Sequence, residues 1–345
     1  MRHCTLSKVN IALDIMGGDL GPHVLLDAAK KSLEHYSDLH ITLCGHSSVY
    51  QSFINTLSGD LKARITLEEC DEVVSMSDKP TTALRQKKQS SMRRAIDLVE
   101  QRKADACVSS GNTGALMAMA YYVLKTLPGI SRPALISWLP KAQGKKVLLL
   151  DLGASVNCDA EGLFQYAVMG SVFAKLCAGV ESPKVALLNV GEEDIKGNTL
   201  VKHADQLLRD SQSVDYIGYV EGDQIFAGKA DVVVTDGFTG NIALKSSEGI
   251  AKLVIDELKR LTTENFTARL LSKLALPFLK KLYQRMNPDQ YNGASLIGLR
   301  GIVVKSHGNA NSEASFYAIK QAYEEAKNAV PDKIKTKIES VLMEH

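Results

Sequence analysis

Residues Val9–Pro22 read VNIALDIMGGDLGP. An apolar run leads directly into two adjacent glycines, an acid, a third glycine and a proline. A continuous Val/Ile/Leu run suits a strand covered on both faces. Glycines at its end let the backbone turn sharply and approach a ligand closely. The loop can wrap an anion with backbone N–H groups, but Gly17, Gly18 and Gly21 lack the G-x-G-x-x-G spacing and the loop holds no lysine. Gly293 and Gly298 have Walker A spacing, yet Leu299 and Arg300 stand where Lys and Ser/Thr are required. Neither a dinucleotide nor ATP is expected.

The same grammar recurs along the chain. Strands are expected at NIALDI (from Asn10), HITLCG (His40), RITLEEC (Arg64), DACVSS (Asp105) and ALISWL (Ala134). More follow at KVLLLDL (Lys146), KVALLNV (Lys184), DYIGYV (Asp215), ADVVVTD (Ala230) and GIVVKSH (Gly301). Amphipathic helical patterns begin at Gly162, Asn198, Asn241 and Ser312. This alternation predicts a three-layer α/β/α sandwich with a mostly parallel sheet. Glycine beside Asn, Ser, Thr, Asp or His follows six strands, in MGGDLGP, SSGNTG, LGASVN, NVGEED, TDGFTGN and KSHGNAN. In a parallel sheet these loops are expected to gather at one carboxyl edge, where ligands bind. Each loop alone also fits ordinary turn and N-cap chemistry.

The chain has 345 residues, a net charge of +2 and 45% apolar residues. This balance suits a globular protein with a sizeable core and offers no general argument for nucleic acid. No apolar signal core precedes the first strand, and no apolar run approaches the roughly 20 residues of a membrane span. Cys4, Cys44, Cys70, Cys107, Cys158 and Cys177 are scattered, without metal-ligand spacing. They read as reduced thiols of a cytoplasmic protein, and no metal or cofactor is expected. One unit spanning 1–345 is expected, with two lobes as the alternative.

The loops mix acids (Asp14, Asp19, Asp151, Glu192, Glu193, Asp236) with cations (Lys196, Lys245, Lys305) and neutral donors (Asn112, Asn189, Asn241). Asp14 and Asp151 are expected to fix loop backbone rather than to react. His307, beside Lys305 and Gly308, is the best single acid/base or oxyanion donor. No Ser-His-Asp or Cys-His arrangement is evident, and Ser109 and Ser110 do not lie in G-x-S-x-G.

Taken together, DIMGGDLGP, SSGNTGALM, LLDLGASVNCDAEGLFQYAVMG, LLNVGEEDIKG, VEGDQIFAGKADVVVTDGFTGNIALKSSEG and GASLIGLRGIVVKSHGNAN resemble the PlsX family of phosphate acyltransferases, in family order from Asp14 to about Ala322. Ser110, Ser155 and Asn157 depart from the commoner family residues at their positions. The resemblance implies transfer of a long acyl chain from acyl carrier protein to inorganic phosphate, feeding phospholipid synthesis. It also implies a fold similar to isocitrate and isopropylmalate dehydrogenases and phosphotransacetylase, and a homodimer.

Phosphate near neutral pH is largely dianionic and needs little help from a base. A thiolate leaves readily, since a free thiol has a pKa of about 8.5. Positioning and charge stabilisation can therefore supply most of the acceleration. Lys305, His307, Asn241 and Asp236 are the expected catalytic set. Asp14, Gly17, Gly18, Asp19, Ser110, Asn112, Thr113, Gly114, Asn189, Glu192, Lys196 and Thr239 are expected to bind phosphate or substrate.

Residues 269–285, RLLSKLALPFLKKLYQR, hold five basic residues and no acid. With Leu271, Leu274, Phe278 and Leu282 at helical spacing and Lys280 and Lys281 beside them, the stretch reads as a protruding amphipathic element within 262–290. It would meet an anionic membrane or acidic carrier protein, or else a dimer interface. A phosphotransacetylase-like enzyme using acyl-CoA, a dehydrogenase and a non-enzymatic membrane scaffold are the rival readings.

Overall fold

The structure, a computed structural model, describes residues 8–155, 157–263, 275, 278 and 288–344. Its strands are β1 (Val9–Asp14), β2 (Leu39–Gly45), β3 (Ile65–Glu69), β4 (Ala106–Ser109), β5 (Ala134–Lys141) and β6 (Lys145–Leu150). They continue as β7 (Lys184–Leu188), β8 (Asp215–Val220), β9 (Val232–Val234), β10 (Ala294–Ile297) and β11 (Ile302–Lys305). All eleven join one sheet in the order β3-β2-β1-β4-β11-β10-β5-β6-β9-β7-β8. β10 is the strand not anticipated. Its four residues are too short to show a period, and only pairing with β11 and β5 defines them.

The sheet is mostly parallel, but its polarity inverts at the centre. β1, β2, β3, β4 and β11 run together. The β11–β10, β10–β5 and β5–β6 pairs are antiparallel, and β9, β7 and β8 then follow β6. The six glycine loops therefore do not share one edge. Those after β1, β4 and β11 leave one edge, while those after β6, β7 and β9 leave the other. A Val/Ile/Leu run carries no record of strand direction, so the sequence alone did not expose the inversion.

Helices cover both faces. On one lie α5 (Ser91–Glu100), α6 (Thr113–Leu124) and α9 (Gly237–Thr263). Met92, Ile96, Leu116 and Met119 pack there on Cys107, Leu135, Leu149 and Val233. Opposite, α1 (Pro22–His35) and α10 (Ser312–Lys327) bury Leu25, Leu33, Phe316 and Ile319 on the β1 half. On the β6 half, α7 (Ala160–Ala178), α8 (Thr199–Asp210) and α11 (Val330–Glu344) do the same with Phe173, Leu208 and Ile338. Short helices α2 (Ser47–Thr56), α3 (Gly59–Ala63) and α4 (Pro80–Gln86) border the β3 side. This is the expected α/β/α sandwich. Among the described residues no helix is long and apolar enough to cross a membrane.

The starts of α6, α7 and α10 are capped by side chains. Asn112 accepts from Ala115 N at 3.0 Å, Asp159 from Gly162 N at 2.8 Å and Asn311 from Ala314 N at 2.8 Å. Each satisfies a backbone donor that has no partner inside the helix.

Candidate active site

Three loops meet beyond β1, β4 and β11. Asp14 pairs with Ser109, which pairs with Lys305. That register stacks the strand ends side by side. Ser109 Oγ donates to Asp14 Oδ2 at 2.6 Å, and Ser109 Oγ accepts from Gly111 N at 3.1 Å. Asp19 N donates to Gly308 O at 2.6 Å, tying the first loop to the last. Glycine is required at two points. A Cβ on Gly17 would sit 2.6 Å from Gly111 N, and Gly18 has φ +100° with Gly308 O 3.2 Å from where its Cβ would lie. This crowding packs the backbones of the three loops directly against one another, which only residues without a side chain allow.

Beside this cluster, over the strands where polarity inverts, lies a cavity of about 830 Å³. Its floor is β5 and β10, and α9 runs along its length. Lys305, His307, Asn241, Lys245 and Thr113 give it a polar side. Leu135, Trp138, Leu139, Phe226, Leu244 and Val254 make the remaining wall largely apolar. The position accords with the tendency of open sheets to bind ligands where strand order reverses.

Burial lowers the Lys305 ammonium, Asp14 and Asp19 oppose the shift and Lys245 adds to it, leaving it at about 8. Its Nζ donates to Ser306 O. The His307 backbone N donates to Asn292 Oδ1 at 2.9 Å, and Asn292 Nδ2 donates to Ser306 Oγ and Ala314 O, both at 2.8 Å. Asn292 thus fixes the loop that carries Lys305 and His307. Burial lowers the His307 imidazole, and the Glu248 carboxylate opposes that shift. Glu248 Oε1 lies 3.6 Å from His307 Nε2, and Lys245 Nζ lies 2.8 Å from Glu248 Oε2.

The buried acids act as expected of loop anchors. Asp151 accepts from the backbone N of Leu135, Gly153, Ala154 and Ser155 at 2.6–3.2 Å. Burial nevertheless pushes the Asp151 and Asp14 carboxyls above the usual range.

The expected residues divide into those that reach the cavity and those that do not. Lys305, His307, Asn241 and Thr113 line it. Gly17, Gly18, Asp19 and Asp14 form the adjoining loop cluster. The Ser110 hydroxyl is buried there without a hydrogen-bond partner among the described residues. Asn112 spends its amide on the carbonyls of Ser75, Met76 and Asp78, at 3.3, 2.9 and 3.0 Å, besides capping α6. Gly114 makes room for Pro80, whose Cγ lies 2.7 Å from where a Cβ would be.

Asp236 accepts from Phe238 N and Thr239 N at 3.0 Å and from Thr239 Oγ1 at 2.7 Å, so both side chains serve the start of α9. Neither lines the cavity. Glu192 is paired with Lys229 and Gln224, and Asn189 Nδ2 donates to Lys196 O at 3.5 Å. That loop follows β7, on the other edge, and Asn189, Glu192 and Lys196 line no part of the cavity. Leu271, Leu274, Lys280, Lys281 and Leu282 lie outside the described residues, while Phe278 is exposed. Glu248 and Asn292 escaped the sequence reading. Glu248 carries a signal in retrospect: it shares the cavity-facing stripe of α9 with Asn241, Leu244, Lys245 and Ala251.

Fold and cavity together define an α/β/α protein with an apolar slot that carries lysine and histidine side chains along one side. A family model described as "Fatty acid synthesis protein" matches residues 9–333. A phosphate acyltransferase of Pseudoalteromonas atlantica is 58% identical over 344 residues, covering 100% of this chain and 99% of its own. One from Shewanella sp. (strain MR-4) is 53% identical over 339 residues, covering 98% and 99%. The chain belongs to the phosphate acyltransferase family, and it is an acyltransferase that moves a fatty acyl group to phosphate. Among solved structures, a phosphotransacetylase of Streptococcus pyogenes superposes with TM-score 0.61 at 18% identity, covering 93% of this chain and 94% of its own. The EutD phosphotransacetylase of Staphylococcus aureus gives 0.58 at 20% identity, with the same coverage. These two share the fold.

Proposed function

We propose that the acyl donor is acyl carrier protein and that phosphate attacks its thioester directly. The observation that carries this reading is a cavity that joins an apolar slot to a cationic side. The slot suits the fatty chain. Lys305, His307, Asn241 and Thr113, with the backbone N–H groups around Gly17 and Gly18, suit phosphate and the thioester carbonyl. A phosphate oxygen bonds to the carbonyl carbon, the C–S bond breaks, and the sulfur leaves as thiolate and takes a proton. Lys305 and His307 stabilise the charge that develops on the oxygen and sulfur. Asp14, Asp19 and Asp236 shape the loops rather than touch the ligand.

The test is acyl phosphate formed from phosphate and one fatty chain, carried on acyl carrier protein or on CoA. Faster turnover with CoA would sink the carrier assignment. A covalent acyl adduct surviving denaturation would sink direct attack. His307→Ala should cut turnover by about 10²-fold or more with an unchanged fold, and unchanged turnover would remove His307 from the mechanism.

We also propose a homodimeric cytoplasmic protein that rests peripherally on the membrane. Ile250 and Leu253 of α9 are 62% and 63% exposed and Phe278 is 79% exposed, which supports an apolar contact surface there. Leu274→Glu should weaken co-sedimentation with anionic vesicles. Equal binding of both proteins would count against lipid docking through the 269–285 segment.

A further inference from the structure

We propose that Glu248 is the positioning residue of His307, holding the imidazole toward the cavity and keeping it able to carry a proton. The inference deepens the reading of His307 given above and rests on it. Its ground is geometric. The His307 backbone is fixed by the Asn292 side chain, whose Oδ1 accepts from the His307 N–H at 2.9 Å. Its ring is different. The side chain is 51% exposed, and among the described residues no hydrogen bond holds either ring nitrogen. The Glu248 carboxylate stands 3.6 Å from Nε2, close enough that a small rotamer change would make a hydrogen bond.

Glu248 is itself braced. Lys245, one helical turn earlier, holds its second oxygen at 2.8 Å. Lys245, Glu248 and His307 all line the same cavity. The ring faces charges from three elements: Glu248 and Lys245 on α9, Lys305 on β11 and Asp289 on the 3-10 turn Pro288–Tyr291. Two of the neighbours are cations that disfavour a charged imidazole. Glu248 offsets them, and its carboxylate oxygen stands 3.6 Å from Nε2. An acid that also aims the ring is the arrangement by which a carboxylate orients a catalytic histidine.

The experiment follows the His307 ring by NMR titration, its signal identified by its loss in His307→Gln. Glu248→Gln should lower the titration midpoint and move the fall in kcat that follows loss of the imidazole proton to lower pH. Glu248→Asp should restore part of both. Lys245→Met should move the midpoint the opposite way, upward, because it removes a neighbouring cation. An unchanged midpoint in Glu248→Gln overturns the proposal, as does a downward shift in Lys245→Met. Wild-type turnover in His307→Gln would instead remove the catalytic reading of His307, and the titration would still decide whether Glu248 governs the ring.

Discussion

Lys305 carries a pH dependence that can be worked out from its surroundings. Burial brings its ammonium to about 8, within two units of neutrality. If the charged form holds phosphate, kcat/KM for phosphate tracks the charged fraction of free enzyme. Between pH 7.5 and 9.5 that fraction falls from about three quarters to about 3%, so kcat/KM should fall about 25-fold. Phosphate is already dianionic over most of this range and contributes little to the slope. The assay is initial-rate acyl phosphate formation at sub-saturating phosphate, corrected for thioester hydrolysis at each pH. Lys305→Arg is the control, because a guanidinium stays charged above pH 12. Its absolute rate will be lower, since the fork geometry differs, but its alkaline limb should vanish. A flat wild-type profile to pH 9.5 would refute the reasoning, and so would the same fall in Lys305→Arg.

Lys305→Met should inactivate the enzyme yet stabilise it. A charge held about 2.5 units below its ordinary pKa of 10.5 works against folding by up to about 3 kcal/mol. The unfolded lysine binds more protons between pH 8 and 10.5, so wild-type stability rises with pH across that window. The advantage of Met is therefore fully present below pH 8 and gone above pH 10.5, which denaturant midpoints at pH 7 and 10.5 will check. Gly17→Ala should raise KM for phosphate at least about tenfold with a smaller effect on kcat, because its Cβ would drive into Gly111 N, 2.6 Å away. Asp236→Ala should remove about 1 kcal/mol of stability as a lost helix cap. Its turnover should stay within a few-fold of wild type, and a loss as large as that of His307→Ala would show that Asp236 acts in catalysis.

Sequence carried most of the fold because buried strands and capped helices leave local marks. VNIALD, KVLLL and VVV lie in runs that read as strands and form β1, part of β6 and β9, and Asp159 and Asn311 cap the helices expected from Gly162 and Ser312. Direction and neighbourhood leave no such mark. The antiparallel run from β11 through β10 and β5 to β6 is encoded in pairings between residues far apart, so six similar loops looked like one edge. The consequence falls on the site. Lys305 and His307 were legible because they sit beside glycine at a strand end. Glu192 and Lys196 carried the same signal but belong to the other edge, where Glu192 pairs with Lys229 and Gln224. Glu248 lies mid-helix, seven residues after Asn241, and only the course of α9 across the sheet brings it to His307.

A dianion site flanked by a buried acid looks self-defeating, and its logic turns on Lys305. Asp14 is fully buried, and its carboxylate is stabilised by the Ser109 hydroxyl at 2.6 Å and the Met16 N–H at 3.3 Å. Part of its charge is thus answered inside the loop before any ligand arrives. The rest acts on Lys305, where Asp14 raises proton affinity against burial and against Lys245. Asp14 therefore repels phosphate weakly while helping to keep the cation that attracts it. The two effects predict opposite results for Asp14→Asn, which preserves size. If repulsion dominates, phosphate KM drops and the alkaline limb stays in place. If support of Lys305 dominates, the alkaline limb moves to lower pH and phosphate KM at pH 8 rises. The pH profile of kcat/KM for Asp14→Asn beside wild type decides between them. A limb that stays fixed or moves to higher pH would show that Lys305 keeps its proton without Asp14.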